Sequence, residues 1–74
     1  MDEKQAQVFT EINLEETRKS LAYMRASLSR IQSHANAVNS DDLSNRVLDI
    51  EAAIDAGLEK VWELQRKVAN HVNA

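Results

Sequence analysis

The residues of this chain that could do chemistry are two histidines, a run of serines and a few paired carboxylates, and their spacing gives them no site. His34 and His71 stand far apart and cannot chelate a metal by local spacing. Ser20, Ser27, Ser29 and Ser33 could each offer a nucleophile, but a catalytic triad also needs a base and an orienting group in a pocket that excludes water. On a helix they read as polar spacers. Asp55 and Glu59 share one helix face, as the ligands of di-metal bundles do, yet the Glu-x-x-His pattern of those bundles is missing. Cysteine is absent, which removes disulfides and thiolate zinc sites. The expectation is a protein that is not an enzyme and has no catalytic residues, metal, cofactor or small-molecule substrate.

The chain has 74 residues, with 12 acids against 9 bases and a net charge of -3. A domain of this size buries only ~60% of its unfolded surface, so it normally needs a disulfide, a metal or a partner. With the first two excluded, self-association remains. The charge balance fits neither a polybasic nucleic-acid binder nor an acidic tail. No apolar run approaches the ~18 residues of a membrane span. Met1-Asp2-Glu3-Lys4-Gln5 lacks the pattern of a secretory signal. A cytoplasmic protein of phage or bacterial type, with no membrane contact, is expected.

The absence of proline, a single glycine, and abundant Ala, Leu, Glu, Lys and Arg favour helix. Two apolar stripes run at alternating steps of three and four. The first is Leu14, Thr17, Leu21, Met24, Leu28, Ile31, Ala35 and Val38. The second is Leu43, Val47, Ile50, Ile54, Gly57, Val61, Leu64, Val68 and His71. Such spacing marks helices packed along a seam. Between them, Asn36 or Asn39 can close a helix in the left-handed conformation, and Ser40 can cap the next. Folding back at this turn pairs Ala35 with Val47, Leu28 with Ile54 and Leu21 with Val61 at a near-constant index sum. One all-α domain over residues 1–74 is therefore expected: an antiparallel two-helix hairpin. Helix 1 runs over about 3–37, the turn about 38–41 and helix 2 about 42–72.

Residues before Asn13 break the stripe, because Val8, Phe9 and Ile12 point away from it. Either helix 1 starts near Asp2 and carries a second apolar patch, or an extended arm leads to a helix capped by Asn13; the continuous helix is favoured. Gly57 costs roughly 1 kcal/mol in a helix interior relative to alanine. The simplest account is that a large side chain from the first helix, or from a partner, needs the missing Cβ space.

A lone hairpin leaves the borders of its seam in water. Leu58 and Val72 widen the second stripe, while Leu48 and Trp62 share a further face. Pairing two hairpins into a four-helix-bundle homodimer covers such surface. Leu21, Met24, Leu28, Ile31, Ile50, Ile54, Gly57, Leu58, Val61 and Leu64 would then form the hairpin and dimer core. What remains suggests a protein-binding module, such as an inhibitor, anti-activator or adaptor that docks a helix face. Phe9, Ile12, Tyr23 and Trp62 would be its apolar anchors and Arg18, Arg25 and Arg30 its polar contacts. A second possibility starts from the charges, since only bases occur between Thr17 and Ser40. In architecture the expected dimer resembles Rop-type helical hairpins, which bind RNA loop pairs through a first-helix face. That resemblance covers topology alone, with no shared motif, and implies RNA as the alternative partner.

Overall fold

A computed structural model describes residues 2–72 of the chain, with the backbone alone at His71 and Val72. Two helices, α1 (Glu3–Ala37) and α2 (Asp41–Val72), form an antiparallel hairpin. The rod measures 54 × 17 × 14 Å. Its length agrees with a helix of 35 residues at ~1.5 Å rise per residue.

Helix α1 starts at Glu3, capped by Asp2, and continues through Asn13, so there is no separate arm. The local cause is a capping box. The Asp2 carboxylate accepts the Gln5 N–H at 2.7 Å, and Gln5 Oε1 accepts the Asp2 N–H at 3.4 Å. Two otherwise unpaired donors are thereby satisfied.

The turn follows its residue chemistry just as closely. Asn39 adopts φ 55, a left-handed conformation that asparagine tolerates better than most residues. Ser40 N–H donates to Ala35 O at 3.0 Å and Asn39 N–H to Asn36 O at 3.2 Å. This six-to-one plus five-to-two pair is the Schellman closure of a helix. Ser40 also starts α2, its hydroxyl accepting the Leu43 N–H at 3.2 Å. Asp41 and Asp42 in the first turn complement the helix dipole. One residue thus ends α1 and begins α2, and the reversal is tight.

The sequence places all of both stripes in one seam, and here the structure differs. Leu28, Ala35, Val47, Ile54 and Val61 are buried, with Leu21 and Leu58 packed against the core. The alternate members Met24, Ile31, Val38, Leu43, Ile50 and Leu64 are 42–52% exposed, and Thr17 is exposed too. In a two-stranded coil both sets straddle the contact line. In this hairpin both helices are rotated so that one set points at the neighbouring helix and the other to the side. The expected seam position of His71 and the flanking position of Val72 concern side chains outside the described residues.

Candidate functional site

The rotation gives the hairpin two unlike flanks. On one, polar side chains reach across from helix to helix. Arg25 makes ion pairs of 3.1 Å with both Glu51 and Asp55. Gln32 Nε2 donates to Ser44 Oγ at 2.6 Å, and Gln65 Nε2 donates to Glu15 at 3.1 Å. Near the end of α2, Gln7 Nε2 donates to Val68 O at 2.6 Å. Each individual contact is worth little where water reaches it. Together they fix the rotation of α1 against α2.

Arg18 borders the same flank and pairs with Glu15 at 2.6 Å. Its hydrogen-bonded guanidinium, aided by Gln65, holds the Glu15 carboxyl at about 2, against an ordinary 4.5. Because the folded value is depressed, this pair contributes at neutral pH, and its contribution disappears as pH falls from the ordinary range through about 2. An NMR titration of the Glu15 carboxyl is expected to show a midpoint near 2 in the wild type, moving back toward 4.5 in Arg18→Gln. An ordinary midpoint in the wild type would mean that the pair does not form in solution.

Among the described residues, no side-chain hydrogen bond or ion pair closes the opposite flank. Thr17 and Leu64, Met24 and Gly57, Ile31 and Ile50, and Val38 and Leu43 succeed one another along it as four layers. Tyr23, Met24, Ser27, Leu28, Ile50 and Ile54 line a shallow groove there, which places Met24 and Ile50 on one face. Helical periodicity sets Ser20 and Ser27 beside the stripe on α1 and Ala53 beside it on α2. These three side chains are small, whereas Arg46 and Lys60, seven residues to either side of Ala53, are charged and exposed.

Gly57 lies within this stripe. A Cβ added to it would meet only Leu21 Cδ1, at 3.7 Å, which is ordinary contact, and its φ is not positive. The first helix therefore does not require a glycine at this position. That half of the expectation fails.

The apolar residues singled out as partner anchors do not converge. Val8, Phe9 and Ile12 form one exposed patch on the outer face of α1. Tyr23, 70% exposed, lies about 20 Å farther along the helix by its rise, at the edge of the groove. Trp62 and Leu48 are half exposed on α2, again about 20 Å apart. The Arg66 guanidinium stacks on the Trp62 ring at 4.3 Å, an attraction that orders the indole without covering it.

The basic face of α1 is similarly divided, since Arg18 and Arg25 are committed to carboxylates on the polar flank. Arg30, on another side, donates only to Ser27 Oγ at 3.4 Å and has no ion pair among the described residues. Sequence reasoning missed the polar flank itself. Its signal was present as Arg18, Arg25 and Gln32 at steps of seven, answered by Ser44, Glu51 and Gln65 on α2.

Among the described residues no three His, Cys, Asp or Glu side chains gather as metal ligands, and no helix is long and apolar enough to cross a membrane. What the arrangement offers is surface for association: one continuous apolar flank and separate apolar patches on the outer faces. No family model, curated protein or solved structure matches the chain, so its role has to be argued from these surfaces.

Proposed function

We propose that this chain is a non-enzymatic interaction module that pairs with a second copy through its apolar flank and docks its outer apolar patches on another protein. The observation that carries the reading is the contrast between flanks, one closed by cross-helix polar contacts and the other an uncharged stripe open to water. Contiguous apolar surface of this kind marks an interface. The area argues for the same conclusion. The chain exposes 5648 Å², about 1,000 Å² more than the roughly 4,600 Å² expected of a compact monomer of its mass. A standard interface takes about 800 Å² from each partner. The excess is of the size that one copy contributes to a stable pair, which would make a four-helix bundle.

A protein partner is favoured over RNA because two of the four α1 bases between Thr17 and Ser40 are already neutralised by carboxylates. Affinity for RNA depends on several free cations per site. Phe9, Ile12 and Trp62 remain outward-facing and unexplained by the hairpin seam. Aromatic side chains in such positions are frequent anchors of binding energy. Inhibitor, anti-activator and adaptor are the roles that suit a binding surface without chemistry.

The test is quantitative affinity capture with wild type and a Phe9→Ala/Trp62→Ala variant as baits, after checking that both have the same solution mass. A protein retained by the wild type and lost by the variant is the expected result. Equal retention by both baits would remove these anchors from the account. Salt-sensitive retention of RNA alone would favour the nucleic-acid reading.

A further inference from the structure

We infer that the two copies pack with their turns at opposite ends, the partner's Ile50 filling the notch at Gly57. This inference rests on the self-pairing proposed above and adds its geometry.

The four layers of the apolar flank are unequal in bulk. Met24 beside Gly57 is one long side chain beside none; Ile31 beside Ile50, one heptad toward the turn, is two branched side chains. A two-fold axis along the rod would set each layer against its own copy. Two glycines and two methionines would then share one level and four isoleucines the next. A two-fold axis across the rod, midway between these levels, instead sets the Met24/Gly57 layer against the partner's Ile31 and Ile50. Interiors fill space at nearly uniform density, and both voids and overpacking are penalised. The second arrangement evens the layers, and large against small is how facing positions interlock. It also gives the glycine a reason, because a Cβ there is compatible with the hairpin itself.

The arrangement has a consequence for the outer surface. The stripe is centred nearer the turn than the middle of α1, so the first dozen residues of each copy extend past the partner's turn. The Val8, Phe9 and Ile12 patches would sit near the two ends of the assembly, about 55 Å apart by helix rise. Such a dimer presents two identical docking sites facing separate partners.

The chain has no cysteine, so a single Asp41→Cys can carry a spin label at the turn without competition. Electron–electron dipolar spectroscopy on the labelled full chain is expected to give a separation of about 40 Å, from the helix rise. A separation under about 20 Å, the span of adjacent helices, would place both turns at one end and overturn the inference. No dipolar interaction at protein concentrations where the unlabelled chain is a dimer would also count against it. A wild-type monomer would remove the pairing itself.

Gly57→Ala gives an independent reading by its sign. With the partner's Ile50 in the notch, the added methyl should raise the dimer dissociation constant about tenfold. If instead both glycines share one level, the methyl has room and the constant should fall. That fall would contradict the arrangement.

Discussion

Ile31→Asp is expected to convert the protein from dimer to monomer at micromolar concentration, while Ala26→Asp leaves the dimer intact. Both substitutions add one negative charge to the same helix, and both sites are exposed in the isolated hairpin. They differ in direction and in the side chain removed. Ile31 lies in the apolar flank beside Ile50, whereas Ala26 points to the outer side of α1. Burying an unpaired carboxylate in an apolar contact costs about 3 kcal/mol or more, roughly 100-fold or more in dissociation constant. The measurement is solution mass by light scattering. Equal masses for the two variants would deny the apolar flank any special part in association. Because the hairpin core is small, the Ile31→Asp chain should also melt earlier, and the melting of the wild type should depend on its concentration.

Ile54→Ala is expected to have the largest effect on the fold itself. Ile54 is 5% exposed, within the cluster it forms with Leu28 and Val47. Removing such a side chain typically costs about 2–5 kcal/mol, and a domain this small has little more than that to lose. Far-ultraviolet circular dichroism should show most of the helical signal lost well below the wild-type midpoint. Ile50→Ala deletes the same atoms one helical turn earlier, on the apolar flank. Its effect should shrink on dilution, as the pair it supports comes apart. If Ile50→Ala and Ile54→Ala behaved alike at all concentrations, the division of the stripe into seam and flank would be mistaken.

That division was the part of the fold the sequence could not convey. A three–four spacing identifies the two apolar sets on each helix, and the near-constant sum of facing indices fixes the antiparallel register. Neither says which set faces the neighbouring helix and which faces sideways. The choice depends on the rotation of each helix about its axis, held here by Arg25 with Glu51 and Asp55 and by Gln32 with Ser44. These are contacts between residues distant in sequence. Segregation of bases to α1 and acids to the start of α2 foreshadowed the ion pairs, but not the glutamine bonds.

Local signals were easier to read. Asn39 and Ser40 supply the left-handed residue and the cap that the turn needs, and both act as their residue types suggest. At the start of α1 two capping patterns compete, Asp2 with Gln5 and Asn13 with Glu16. The structure uses the first, because a helix through Asn13 keeps its backbone bonds whereas an extended arm would find no strand to pair with.

The candidate site was legible in its residues more than in its layout. Phe9, Ile12, Tyr23 and Trp62 are exposed, but Tyr23 lies about 20 Å along α1 from Phe9 and Ile12, and Trp62 is on α2. The basic residues of α1 divide likewise between the polar flank and the outer surface. Gly57 was recognisable as costly from sequence alone. Its freedom to accept a Cβ within the hairpin could be found only with Leu21 in place.

Sedimentation equilibrium of the wild-type chain over a wide concentration range reads whether a second copy covers the apolar flank. A species of about 17 kDa, twice the 8.4 kDa chain, dissociating only on dilution, is expected. A single species of 8.4 kDa at every concentration would contradict it.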